Sequence, residues 1–148
     1  MPAQELELKN TVEEPDRAAD QAAEPAAGRR ILVVEDDAIF RRFNIAILAA
    51  AGYQVDGAAD GVAGWEALQL QNYDLLVTDN GMPRMTGLEL VKRVHESHPQ
   101  LPVIMATGSP PVLDFAKEYE LKPVILIKPY TSGSLVTAVT NALGPGGE

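Results

Sequence analysis

Four short and wholly apolar runs constrain this chain more than any other feature: residues 31–34 (ILVV), 75–77 (LLV), 103–106 (VIMA) and 124–127 (VILI). A strand with one wet face shows a polar residue at every second position. Continuous apolar runs belong instead to strands covered on both faces, which is the rule for parallel sheets. Between the runs the period changes to that of a helix. Residues 37–51 carry Phe40, Phe43, Ile47, Leu48 and Ala51 at helical spacing, closed by Gly52. Asp60 can cap a helix reaching Gln71, with Trp65 and Leu68 facing inward. Further helices are expected over 86–97 (Leu88, Val91, Val94), within 111–121 and over 132–143, and a further short strand over 53–57. Five strands alternating with five helices predict one α/β domain, a parallel sheet with both faces covered.

Residues 1–28 are rich in Ala, Glu, Gln and Pro and lack an apolar period. Such a composition cannot bury enough surface to offset the entropy of ordering, so a disordered acidic tail is expected there and a folded domain over 29–148. The net charge is −9. Residues 1–30 hold seven acids and four bases and the remainder fourteen and eight, with no basic stripe in either part. Nucleic acid is therefore not an expected partner. Cysteine is absent, which excludes disulfides and zinc-thiolate sites. The N-terminus is acidic where a secretory signal would be basic, and apolar stretches such as 45–51 are too short to span a bilayer. The expectation is a cytoplasmic protein without a membrane partner.

In a doubly wound sheet, chemistry gathers at the carboxyl ends of the strands. Glu35, Asp36 and Asp37 follow the first strand and Asp79 the third, while Thr107 and Gly108 follow the fourth and Lys128 and Pro129 the fifth. Two carboxylates about 5 Å apart repel by roughly 3 kcal/mol at an effective dielectric of about 20. A cluster of them would protonate or splay unless a cation sat among them. Hard oxygen ligands suit Mg²⁺ better than zinc. The bland alternative is that the acids after the first strand only decorate a helix N-terminus, where negative charge is favourable anyway.

Glu35-Asp36, the segment Asp79-Asn80-Gly81-Met82-Pro83-Arg84-Met85-Thr86-Gly87, Thr107-Gly108 and Lys128-Pro129-Tyr130 together resemble the receiver domain of bacterial two-component response regulators. The resemblance runs from about Arg30 to Leu143. It implies a flavodoxin-like (βα)5 fold, a five-stranded parallel sheet in the order 2-1-3-4-5. It implies that Asp79 takes a phosphoryl group from a phosphohistidine of a sensor kinase or phosphotransfer protein. Asp36, Asp79 and the Gly81 carbonyl would ligate Mg²⁺, with Glu35 acting through a metal-bound water. Thr107 and Lys128 would each meet a phosphoryl oxygen, and the Lys128–Pro129 bond would be cis. Mg²⁺ and Lys128 would then neutralise the spreading charge that phosphoryl transfer develops. The protein would catalyse its own phosphorylation and dephosphorylation rather than turn over a substrate. No effector domain follows Leu143 in this sequence, so the expected type is a stand-alone receiver that signals to a downstream protein by contact.

Two features depart from the family. Receivers often carry an aromatic residue three positions before the lysine; here it is Ile125, so its coupling role is absent or rebuilt through Tyr130. The stretch from Thr107 to Lys128 is also about one residue short, with Pro110-Pro111 at its head. Ile39, Phe40 and Tyr130 flank the acid pair where this family meets its histidine-bearing partner, and form the expected docking surface. Of the aromatic pair, Phe43 is expected in the core and Phe40 partly so. Trp65 is read as core, and His95 and His98 as partners of a helix C-terminus. Among rival functions, an Asp-nucleophile phosphatase wants a second carboxylate two residues on, where Gly81 stands. A flavin binder wants a phosphate loop where Glu35-Asp36-Asp37 would repel one. A phosphorylation-independent pseudo-receiver remains the third reading.

Overall fold

A computed structural model describes residues 28–82, 84–108, 117 and 122–144. The expected tail over 1–28 lies outside these residues except for Gly28, and so does almost all of the helix expected within 111–121. The described chain runs β1 (Arg30–Val34), α1 (Ala38–Ala50), β2 (Gln54–Ala58), α2 (Gly61–Leu70), β3 (Leu75–Asp79), α3 (Gly87–Ser97), β4 (Val103–Thr107), β5 (Val124–Ile127) and α4 (Ser132–Leu143). All strand pairs are parallel, and the sheet order is β2-β1-β3-β4-β5. The expected order holds, and β2 begins one residue later than the sequence pattern placed it.

Each of the helices α1 to α4 starts at a side chain that satisfies an orphan backbone donor. The Asp37 carboxylate accepts from the N–H groups of Ile39 (2.9 Å) and Phe40 (3.1 Å), and Asp60 accepts from that of Ala63 (2.8 Å). Thr86 and Glu89 form a reciprocal capping box at α3, and Thr131 caps α4. Asp37 is thereby spent on a cap, so the bland reading of the first acidic run is right for that residue.

The sheet separates two apolar layers. One joins Ile31, Val33, Leu75, Val77 and Ile104 to Leu48 of α1 and to Leu135 and Val139 of α4. The other joins Leu32, Val34 and Leu76 to Leu68 of α2 and to Leu90 and Val94 of α3. Consecutive residues of β1 and β3 thus point into opposite layers, which is why their apolar runs are unbroken. β5 lies at the sheet edge, and its Val124 and Ile127 are exposed. Full cover on both faces, expected for every strand, holds only for the inner ones.

α1 corrects a second expectation. Its inward line is Asn44 and Leu48, whereas Phe40 is 58% and Phe43 59% exposed. The helix is rotated so that Arg41 and Ile45 lie over β2, where Gly57 gives them room: a Cβ there would meet Ile45 Cδ1 at 2.8 Å. The aromatic pair is left on the other flank. Trp65 is half-buried and packs against the layer of Leu32 and Leu68, as expected, its outer side met by the Arg93 guanidinium (5.5 Å from the ring) and edge-on by His98. His95 lies in the last turn of α3 and His98 at its C-cap, as expected.

Gly87 seats α3 against the end of β3. A Cβ there would overlap the Asp79 carbonyl oxygen and come within 2.8 Å of Asn80 Cα, both backbone atoms that cannot swing aside. Gly87→Ala is expected to destabilise the domain by about 1–3 kcal/mol, the usual size of an overpacking strain, read as a lower midpoint in urea unfolding.

Candidate functional site

The parallel sheet brings the ends of β1, β3, β4 and β5 to one edge, and with them the residues that the sequence singled out. Asp79 is the last residue of β3 and Thr107 the last of β4, and both are buried. Glu35 follows β1 and is buried; Asp36 beside it is exposed. Carboxylate oxygens of Glu35, Asp36 and Asp79 all lie within 4.8 Å of one another. Lys128, just past β5, reaches across the end of β4: its Nζ donates to Asp79 Oδ1 and lies 3.9 Å from Glu35 Oε1. The Lys128 N–H bonds to the Thr107 carbonyl (2.9 Å), and the Lys128–Pro129 peptide is cis. Gly81 is exposed, two residues past Asp79. At Gly108 a Cβ would come no nearer than 4.0 Å to the Lys128 side chain, so crowding does not demand glycine there.

One ammonium faces three carboxylates, and Glu35, one of these acids, is buried. Burial, against a backbone hydrogen bond from Asp37 and with the charge of Asp79 nearby, pushes Glu35 up to about 7. Burial alone would lower Lys128, but Asp79 and Glu35 outweigh it and hold the ammonium above the ordinary lysine range. The donor set is oxygen only, anionic and partly desolvated, which fits a small hard cation such as Mg²⁺ and not a thiolate- or imidazole-seeking metal.

Beside this cluster a cleft of about 300 Å³ runs between α1 and the start of α4, walled by Phe40, Phe43, Ile47, Pro129 and Tyr130 and closed at one end by Glu35 and Lys128. Ile39 is 71% exposed on the same helix. Of the expected docking residues, Phe40 and Tyr130 line this cleft together with Phe43, whereas Ile39 is exposed on α1 and does not line it. Sequence reasoning missed Asn44. It is buried, and its Nδ2 donates to the Tyr130 hydroxyl at 2.9 Å, tying α1 to the chain after β5. The signal was available: Asn44 is a polar residue one turn before buried Leu48, on the face that should be apolar. Ile125 packs beside Leu88, Val91 and Met105, in the position where an aromatic side chain was noted as missing. The Arg41 guanidinium, also unforeseen, donates to the Glu35 carbonyl (2.8 Å).

Comparison with known proteins agrees with this geometry. The family model described as the response regulator receiver domain matches residues 31–140. The response regulator receiver protein CpdR of Brucella abortus is 36% identical over 116 residues, covering 78% of this chain and 97% of that protein. The Regulator of RpoS of Escherichia coli is 35% identical over 107 residues, but the chain spans only 32% of its length. Among solved structures, the chemotaxis protein CheY4 of Vibrio cholerae superposes with a TM-score of 0.72 at 30% identity, over 79% of this chain and all of that one. The response regulator TrrA of Thermotoga maritima, solved in complex with Mg²⁺–BeF, gives 0.71 at 25% identity over 78% and 99% of the two chains.

The raised Glu35 sets a pH dependence in the metal-free protein. A carboxyl whose folded pKa lies near 7, against an ordinary 4.5, binds its proton more tightly when folded. Its contribution to stability is full below about pH 4.5 and is lost as pH rises through 7. In EDTA the thermal midpoint should therefore fall between about pH 5 and 7.5 more steeply in the wild type than in Glu35→Gln. Parallel profiles would contradict this.

Proposed function

This chain belongs to the response regulator receiver family, and from that premise we propose that Asp79 accepts a phosphoryl group from a phosphohistidine on a sensor kinase or a histidine phosphotransfer protein. The observation that carries the reading is the buried Asp79 carboxylate at the sheet edge, held by Lys128 and faced by Glu35 and Asp36 within 4.8 Å.

An Asp79 carboxylate oxygen attacks phosphorus in line, the P–N bond to the donor histidine breaks as the P–O bond forms, and the imidazole leaves with the electron pair. Asp79, Asp36 and the Gly81 carbonyl are the residues that would hold Mg²⁺, with Glu35 behind them. When bound, the ion neutralises oxygen charge on the carboxylates and on the arriving phosphoryl group. Lys128 exchanges its contact with Asp79 for one with a phosphoryl oxygen, keeping its charge against the group that now carries the negative excess. The Thr107 hydroxyl donates to another phosphoryl oxygen and fixes its orientation. The chain acts on itself in this scheme, both as acceptor and in losing the group again to water, and is not a turnover enzyme.

The cleft beside the site supports a docking role for α1. A histidine-bearing helix that presents its phosphoryl group to Asp79 must rest on what flanks the site: Phe40, Phe43 and Tyr130 in the cleft, with Ile39 exposed on the same helix as Phe40. Output passes by contact to a downstream protein target, in a cytoplasmic two-component system; no described helix is long and apolar enough to cross a membrane.

Acetyl phosphate with Mg²⁺ should add one labile phosphoryl group to the wild-type chain, seen in the intact mass, and none to Asp79→Asn. Failure of the wild type to label, with Mg²⁺ present, would leave a phosphorylation-independent binding module as the better reading. Ile39→Asp should lower the rate of transfer from a phosphorylated histidine partner, relative to the rate from acetyl phosphate, by about tenfold or more. An unchanged ratio would remove Ile39 from the docking surface.

A further inference from the structure

We propose that Asp60, which is not one of the clustered carboxylates, is a positioning residue for the metal: by gripping Arg84 it holds the segment between β3 and α3 so that the Gly81 carbonyl is kept in place as a ligand. This inference rests on the receiver reading above.

The two ends of that segment are secured from within. The Asn80 carbonyl accepts from the N–H groups of Met82 (3.0 Å) and Gly87 (3.1 Å), its side-chain oxygen accepts from that of Leu88 (3.1 Å), and Met82 is buried. Gly81 between them is exposed, with nothing within 4 Å of where a Cβ would stand. Arg84 has φ of 67°, the only positive value at a non-glycine among the described residues. An arginine seldom takes this conformation without something that holds it there. Here the conformation accompanies a guanidinium directed at the loop between β2 and α2. Nε and Nη2 of Arg84 both reach Asp60 Oδ2, at 3.1 and 2.5 Å.

The anchor on the other side is firm. Asp60 Oδ1 caps α2 through the Ala63 N–H (2.8 Å), so both carboxylate oxygens are engaged and the Asp60 side chain is only 15% exposed, against 60% for Arg84. A second contact runs beside the ion pair. At Gly61 a Cβ would come within 2.7 Å of Met85 Cβ and would overlap the Met85 carbonyl, so the first residue of α2 already lies against the backbone of residue 85. Residues 84 and 85 are thus seated on the N-terminus of α2, on the α3 side of Gly81, while Asn80 is secured on its other side.

The test is a calorimetric Mg²⁺ titration of the full chain, with thermal unfolding in EDTA alongside. Asp60→Asn keeps a good helix cap and removes the charge that grips Arg84. Arg84→Asn keeps a residue that tolerates positive φ and removes the grip from the other side. Each should raise the Mg²⁺ dissociation constant about three- to fivefold, the upper figure being about 1 kcal/mol at 1.36 kcal/mol per tenfold. The double variant should be no weaker than the worse single one, since both remove the same link. Unfolding midpoints in EDTA should stay within about 2 °C of wild type.

A plain long-range charge effect gives opposite signs, because loss of the Arg84 charge would tighten cation binding. Tighter or unchanged binding by Arg84→Asn therefore overturns the proposal, as does a fall in midpoint that tracks the loss of affinity. Asp36→Asn separates the two readings. If it abolishes Mg²⁺ binding while Asp60→Asn does nothing, only the positioning role falls. If the wild type binds no Mg²⁺, the phosphoryl-acceptor reading falls with it.

Discussion

Everything at the functional edge of this protein is organised by one contact, the Lys128 ammonium on the Asp79 carboxylate. Asp79 ends β3 and Glu35 follows the neighbouring β1, both buried, and without a cation between them one would have to take up a proton or turn away. Lys128 comes from the far edge of the sheet and reaches past β4 to supply that charge. It is not enough for three carboxylates. Burial, with the charge of Asp79 beside it, raises the Glu35 carboxyl to about 7, and the three clustered carboxylates suit a further hard cation. The arrangement gathers negative charge before any ligand arrives, and in the proposed function that is what would make it receptive to Mg²⁺ and a phosphoryl group.

The surroundings divide the labour between holding this edge and presenting it. Gly87 lets α3 close on the backbone of Asp79 and Asn80, which fixes the end of β3. Asn44 and Tyr130 join α1 to the segment that carries Lys128 and Pro129, so the cleft wall and the ammonium share one support. Arg41 grips the carbonyl of Glu35 from α1. These links run from the helix that would meet a partner to the residues that would meet phosphorus. Ile125, three positions before Lys128, is packed on Leu88, Val91 and Met105. Among the described residues, the Asn44–Tyr130 pair and the Arg41–Glu35 bond are polar connections between the site and α1.

Much of this architecture is legible in the order of residues alone. The unbroken apolar runs point to the parallel sheet, since β1 and β3 send alternate residues into two separate layers and cannot show a polar alternation. Asp79, Thr107 and Lys128 can be placed at one edge simply because they follow successive strands. The errors share a cause. Phe40 and Phe43 lie at helical spacing, and spacing sets only which residues share a face, not which way that face points. The rotation of α1 was decided by Gly57, whose missing side chain lets Arg41 and Ile45 close on β2 and turns the aromatic pair outward. Val124 and Ile127 likewise look like core from their run of four, and are exposed because β5 has a neighbour on one side only.

By itself, then, the sequence determined the number and kind of elements, the order of the acids, hydroxyl and ammonium along the chain, and the family pattern that they make. Those follow from local periodicity and from which residue ends each strand, and both are properties of neighbours in sequence. Tertiary structure alone decided that Asp37 caps a helix while Asp36 joins the cluster, that Asn44 meets Tyr130 across 86 residues, and that Arg84 turns back to Asp60. Each depends on the rotation of a helix or the path of a loop, and these are fixed only when surfaces remote in the chain are packed together.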